Sequence, residues 1–195
     1  MARILVIVGH PDPRPQRLCR ALARAYATAA EEAGHDVRFV DVASLEFPWL
    51  RTAEEFDEGK LPDGLSEATA AVLWAEHIVL VFPLWLGTMP ALFKAFMEQV
   101  FRPGTAFARP ENDRNFPKTL LGGRSARIVV TMGMPAFVYQ FWFRAHGVAA
   151  MRRNILNFVG IRPVRETLFG LVDDGSDDKR RKWIERMRKL GAAAA

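Results

Sequence analysis

The sequence predicts one α/β domain over residues 1–195, a three-layer fold in which five parallel strands carry helices on both faces. Two observations predict it. Apolar runs short enough to be strands alternate along the chain with stretches whose apolar residues recur at helical spacing. No internal repeat or linker interrupts this alternation. Strands joined through helices run parallel, with right-handed crossovers.

The elements follow in order. Arg3 to Val8 (RILVIV) is a continuous apolar run, suited to a strand buried on both faces. Leu18 to Ala33 places Leu18, Ala21, Leu22, Ala25, Tyr26, Ala29, Ala30 and Ala33 on one helical stripe, and Gly34 stops it. Asp36 to Asp41 alternates and reads as an outer strand. Leu45 to Leu65 has no sustained period and reads as a long loop. Ser66 to Ala75 is a short helix with Ser66 as its N-cap and Glu67 in its first turn. His77 to Phe82 is the third strand, and Pro90 to Val100 a helix opened by proline. Arg102 to Gly123 is polar, holds three prolines and reads as a surface segment. Ala126 to Thr131 is the fourth strand. Tyr139 to Val159 contains a helix, clearest over Met151 to Val159. Glu166 to Val172 is the fifth strand and Lys179 to Leu190 the last helix.

Composition narrows the class. The chain is 50% hydrophobic and 25% charged, ordinary for one globular domain with a real core. No stretch of ~18 apolar residues exists, so no membrane span is expected. The opening MARILVIVGHPDP is too short an apolar run for a signal peptide and reads as a first strand. Cys19 is the single cysteine, which leaves no internal disulfide and favours the reducing cytoplasm. The formal charge of +5 raises nucleic acid as a partner. The cations are spread out, however, and thicken only at Arg152-Arg153 and near the end, where Asp173, Asp174, Asp177 and Asp178 precede them. Acid first and base last suits a solvated helix, so no nucleic-acid partner is expected. The basic surface would attract anionic cofactors. No metal centre is expected.

Ligands of doubly wound sheets sit at the strands' C-terminal ends, beside the point where strand order reverses. The loops to examine are therefore 9–17, 83–89 and 131–139. The first, GHPDPRPQR, lacks G-x-G-x-x-G, which argues against a dinucleotide held in the Rossmann manner. Its prolines remove three donors, so free N–H groups collect over Gln16 to Cys19 beside Arg14 and Arg17. That is either a phosphate site or a proline-stiffened turn with surface arginines. His10 can serve a phosphate or a neighbouring backbone group. The second loop, PLWLGTM, is framed by Pro83 and Pro90. Trp85 and Leu86 can cover the face of a planar ring while backbone N–H groups meet its polar edge. The alternative is a hydrophobic turn supporting the core or a dimer contact. In the third, Thr131 and Gly133 suit close approach to a ligand. Tyr139 and His146 can each donate a hydrogen bond and exchange a proton. Phe137, Phe141, Trp142 and Phe143 could line an aromatic pocket, but at normal helical spacing they read as helix core.

Together the three loops resemble the flavodoxin-like NAD(P)H:quinone oxidoreductases, which include DT-diaphorase-type reductases and the ancillary flavoproteins of potassium-efflux systems. The resemblance spans nearly the whole chain. It is carried by the opening strand with Gly9-His10-Pro11, the P-L-W-x-x-x-M-P-A-x-x-K run from Pro83 to Lys94, the segment from Phe96 to Phe107, and the spacing of Thr131, Tyr139 and His146-Gly147. It implies a flavodoxin-like sandwich with strand order 2-1-3-4-5. It implies a bound FMN or FAD, with NAD(P)H as co-substrate and a quinone or similar small molecule as acceptor in a ping-pong, two-electron transfer. The positions aligning with the family's phosphate contacts are His10, Arg17, Leu18 and Cys19. Those aligning with its ring shelf are Pro83, Leu84, Trp85 and Leu86, then Thr131, Met132 and Gly133. Tyr139 and His146 look like the family's tyrosine and histidine beside the substrate. Position 17 is usually a small hydroxyl residue and position 19 often Asn in the family; here they are Arg17 and Cys19. The resemblance also implies a homodimer, for which Phe107, Phe137 and Trp142 would supply exposed aromatic surface. A redox-sensing role for a protein partner is the alternative function in the same family.

Overall fold

The computed structural model describes residues 1–110, 116–174 and 176–195. Five strands, β1 (Arg3–Val8), β2 (Asp36–Asp41), β3 (His77–Pro83), β4 (Ser125–Met132) and β5 (Val164–Gly170), form one sheet. Its order is β2-β1-β3-β4-β5 and every pairing is parallel. The flanking helices are α1 (Leu18–Glu32), α2 (Ala53–Asp57), α3 (Ser66–Trp74), α4 (Ala91–Val100), α5 (His146–Ala150) and α6 (Asp177–Ala192). This is the flavodoxin-like architecture that the loops imply.

The central strands are apolar throughout because both their faces are covered. In β1, Ile4, Val6 and Val8 pack with Leu22 and Tyr26 of α1 and Met187 of α6. Leu5 and Ile7 point the other way, toward Val72 of α3 and Phe93 and Phe96 of α4. A strand with two buried faces cannot alternate with polar residues, hence the unbroken RILVIV and HIVLVF runs. The outer strand β2 is only partly buried, as its alternation predicts.

Some elements depart from expectation. Ser66 is the first residue of α3 and caps nothing; the position before it is Leu65, in a preceding 3₁₀ turn. The Leu45 to Leu65 segment contains α2, capped by Thr52 Oγ1 accepting from Glu55 N–H at 3.2 Å. Buried side chains hold this segment down. Gln99 donates to Pro48 O at 2.8 Å, and Arg102 donates to Gly59 O and Glu55 O at 2.8 and 2.6 Å. The stretch after α4 is therefore anchored rather than superficial. Arg102, Ala106, Phe107 and Leu121 are buried, and Phe107–Ala108 pairs with Lys118–Thr119 as a short antiparallel ribbon. Residues 111–115 of that stretch lie outside the described residues. Strand β5 begins and ends two residues before the expected Glu166 to Val172. The Tyr139 to Val159 helix is three pieces: a π-helical turn at Val138–Trp142, α5, and a π-helical continuation over Met151–Leu156. Phe137, Phe141, Trp142 and Phe143 are exposed, not core. Their helical period is real, but the turn carrying them packs only its Tyr139 side inward.

A polar cluster is buried at the strands' opposite ends. His77 Nδ1 lies 2.7 Å from Ser125 Oγ, its Nε2 has no partner, and its ring stacks on Tyr26 at 6.4 Å. Burial, together with Arg127 and Arg165, pushes the imidazole down to about 4. An unfolded histidine titrates near 6.5, so between these values the unfolded chain binds the extra proton and stability falls with falling pH. We expect urea stability to drop as pH falls from about 6.5 toward 4, and His77→Gln to flatten that dependence. A slope unchanged by the substitution rules His77 out as its source.

Candidate functional site

Strands β1, β3 and β4 end together, with Val8 beside Val81 and Pro83 beside Thr131. The chain leaves β1 for one face and β3 for the other, which opens a cleft between the departing loops. An open cavity of about 580 Å³ fills it, within the usual range for small-ligand sites. Its walls include His10, Arg17, Leu18, Cys19, Pro83, Leu84, Trp85, Thr131, Met132 and Gly133. Of the shelf residues read from the sequence, only Leu86 is not part of these walls; it stands fully exposed at the rim.

One end of the cavity gathers hydrogen-bond donors that could hold an anion. Helix α1 starts at Leu18, so the N–H groups of Leu18 and Cys19 have no preceding helical carbonyl to serve. His10 Nδ1 accepts from Asp12 N–H at 3.0 Å, which fixes the neutral tautomer with its proton on Nε2. Burial and the charges of Arg17 and Arg20 push its titration down, so the ring serves as a neutral donor. Asp12 is the hub of the loop. Its carboxylate accepts from Arg14 Nε and Nη2 at 2.9 and 2.6 Å and from Arg17 Nε at 2.7 Å. These arginines, Arg14 above all, hold it well below the ordinary carboxylate range. The buried Arg20 donates to Asp12 O at 2.8 Å and pairs with Asp41 at the end of β2. Gly9 leaves no room for a side chain, since a Cβ there would lie 2.4 Å from the buried Phe93 ring.

The other end is built for a flat apolar group. Leu84 N–H donates to Thr131 O at 2.8 Å, which ties the β3 loop to β4. Trp85 and Thr88 exchange both backbone bonds, at 2.9 and 3.1 Å, around Leu86 and Gly87 with φ of +47° and +82°. Two left-handed central residues make a type I′ turn. The turn presents Trp85 half exposed, its ring 6.3 Å from His10. Tyr139 supports this turn from beneath. It is buried, its hydroxyl donates to Gly87 O at 3.1 Å, and it accepts from Val148 N–H at 3.2 Å. Burial pushes its titration up. A Cβ on Gly147 would lie 2.1 Å from Gly87 O, so α5 abuts the same turn. The structure does not bring Tyr139 and His146 together at the cavity: Tyr139 lies under the turn and His146 is exposed at the start of α5.

Sequence reasoning missed one wall. Val172, Asp173, Arg180 and Ile184, from the β5 exit and α6, close the side above α1. Asp173 sits over Gly133, where a Cβ would come within 2.7 Å of its Oδ2. No local signal marks these residues; Val172 and Asp173 arrive because the exit of β5 stays bonded to the end of β4, with Val172 N–H donating to Met132 O at 3.2 Å, and Arg180 and Ile184 because α6 packs along α1.

Residues 2–190 match the sequence model of the family described as flavodoxin-like fold. The chain is similar to a ribosyldihydronicotinamide dehydrogenase-like protein of Penicillium crustosum, 31% identical over 156 residues, which are 67% of this chain and 57% of that protein. It is similar to an FMN-dependent NADH:quinone oxidoreductase of Alteromonas mediterranea, 30% identical over 64% of each chain. It thus spans less than two thirds of the length of either relative. The solved structure of an NAD(P)H:quinone oxidoreductase from Methanothermobacter marburgensis superposes over 100% of both chains with a TM-score of 0.79 at 20% identity, which shows the shared fold.

Two expectations follow from the turn. Leu86→Asn replaces a residue ill-suited to a positive φ by one that tolerates it, and should raise unfolding stability by about 1 kcal/mol. A thermal melt checks it; a lower melting temperature means Leu86 makes a contact that Asn loses. Gly147→Ala should push the Gly87 carbonyl and displace Trp85, read as a change in Trp85 quenching by acrylamide in a protein whose other tryptophans are replaced by Phe.

Proposed function

Since the chain belongs to the flavodoxin-like NAD(P)H:quinone oxidoreductase family, we propose that it is a flavin-dependent oxidoreductase passing hydride from NAD(P)H to a quinone or similar acceptor. The observation that carries this reading is the pairing, in one cavity, of an anion-binding end with a half-exposed indole shelf. A flavin mononucleotide has the same two ends, and the donor set fits it: N–H groups of Leu18 and Cys19, His10 Nε2–H and Arg17 for the phosphate, strand-end backbone and Trp85 for the ring. FMN is the resident cofactor in this reading, in keeping with the FMN-dependent relative.

A bound flavin supplies the two-electron chemistry, taking hydride from NAD(P)H and giving it to the acceptor in alternate half-reactions. The chain's own residues bind and orient. Neutral His10 donates without adding a charge to the phosphate end. Leu84 and Trp85, pinned by the bond to Thr131 and by the turn, would orient the ring of a bound flavin. The N–H of Gly133 would serve as a donor to its polar edge. Tyr139 acts as a positioning residue, because its hydroxyl is already engaged with Gly87 and Val148. His146, exposed at the start of α5 and outside the cavity walls, would donate a proton only to an acceptor that extends beyond those walls.

A homodimer completes the site in this reading. Leu86, Phe137, Phe141 and Trp142 leave large apolar surfaces exposed around the turn, more than single scattered residues would. Phe107 does not contribute, since it packs edge-on against Phe158 at 5.1 Å. The cytoplasm is the proposed compartment, in keeping with a lone, buried cysteine. No helix among the described residues is long and apolar enough to cross a membrane.

Purified protein should be yellow or become so with FMN, bleach on anaerobic addition of NADPH or NADH, and recover its colour on adding a quinone. A colourless protein that cannot be reconstituted defeats the assignment. His146→Ala should retain the flavin spectrum but slow quinone reduction by roughly tenfold or more; an unchanged rate removes His146 from the mechanism.

A further inference from the structure

The β1–α1 loop holds an unusual arrangement for a phosphate site. Arg17, whose backbone opens α1 and whose side chain faces the cavity, is already bound to a carboxylate of its own chain. Asp12 takes both its Nε and Nη2, and takes Arg14 in a fork as well. The Asp12 side chain is about one-fifth exposed and that of Arg17 two-fifths, so the pair is partly shielded from water. Asp12 is itself held in place three further ways. Its N–H donates to His10 Nδ1, its carbonyl accepts from Arg20, and its Oδ1 accepts from Arg14 N–H at 3.0 Å in an Asx turn. The carboxylate is thus fixed where it must meet any anion that reaches for Arg17.

We propose that Asp12 is an internal anion competing with the ligand's phosphate for Arg17, and so lowers the chain's preference for a phosphorylated flavin over an unphosphorylated one. The inference rests on the flavin reading above and adds a specificity role for a residue outside the cavity walls. The physics is that of one cation shared by two anions. A dianionic phosphate arriving at Leu18 and Cys19 gains from Arg17, but it also meets the Asp12 charge that already occupies the Nε and Nη2 edge of the same guanidinium. The N–H donors and His10 are unaffected, so they still recognise the phosphate. Asp12 stays ionised throughout the physiological range, since Arg14 and Arg17 hold its titration far below it. The competition is therefore not relieved by pH.

The test compares FMN with riboflavin, which has the same ring and no phosphate. Their dissociation constants are measured by fluorescence quenching for the wild type, Asp12→Asn, Arg17→Ala and the double variant. Asn keeps the Asx-turn acceptor, and Asp12→Ser serves as a second neutral variant should Asn perturb the fold. Removing the charge should tighten FMN roughly three- to tenfold and leave riboflavin unchanged. In the Arg17→Ala background the same removal should do much less, which a double-mutant cycle reads directly. Weaker or unchanged FMN binding in both neutral variants overturns the proposal and makes Asp12 a simple support for Arg17. Tightening of riboflavin by the same factor as FMN in the neutral variants overturns it while sparing the flavin reading. Failure of the wild type to bind either flavin overturns both.

Discussion

Everything at the site depends on a shared ending. Strands β1, β3 and β4 lie in parallel register, so their last residues arrive at one edge, while the chain turns to opposite faces after β1 and after β3. The cleft follows from that geometry, and its floor is backbone rather than side chain. Gly9 N–H donating to Val81 O, and Leu84 N–H donating to Thr131 O, continue the ladder one step past the strands. They fix the two cavity-lining loops to the sheet before any side chain contributes.

Onto that frame the two loops add stiffness by different means. The β1–α1 loop has Pro11, Pro13 and Pro15, and is clamped by charge: Asp12 holds Arg14 and Arg17, while Arg20 reaches across to Asp41 and back to the loop carbonyls. A buried arginine is costly unless its donors find acceptors, and Arg20 finds three. The β3–α4 loop is stiffened by a type I′ turn, a conformation that leucine adopts at a cost of roughly 1–2 kcal/mol. Tyr139 and the bare Gly147 crowd that turn from below, so the strain is borne by packing. A planar ring held between such loops meets surfaces that are set before it arrives.

The exposed ridge around Leu86, Phe137, Phe141 and Trp142 shows how far periodicity can mislead. Aromatic residues at helical spacing were read as core because a helix normally buries its apolar stripe. Here the segment is a single π-helical turn over Val138–Trp142, followed by Arg144 and Ala145, both with positive φ, and it is too short to lay a second face on the sheet. Tyr139 alone is drawn inward, by two hydrogen bonds that no spacing rule encodes.

The strands and the location of the cleft were legible in the chain, because doubly covered strands must be continuously apolar and edge strands need not be; the strand order came from the family resemblance of the three loops. His10, Arg17, Trp85 and Thr131 were legible as wall residues for a related reason: they sit just past strand ends, where parallel topology gathers loops. What the sequence alone could not settle were relations between residues far apart in the chain. The wall of Arg180 and Ile184 exists only because α6 docks along α1, while Asp173 is carried there by the exit of β5 beside β4. Tyr139 became a prop rather than a wall only through its bond to Gly87, 52 positions away. The direction of an arginine toward ligand or toward its own Asp12 was likewise decided in three dimensions. Local patterns set which segments are strands and helices, because burial imposes a period on them; the partner of each polar group depends on where the folded backbone carries it.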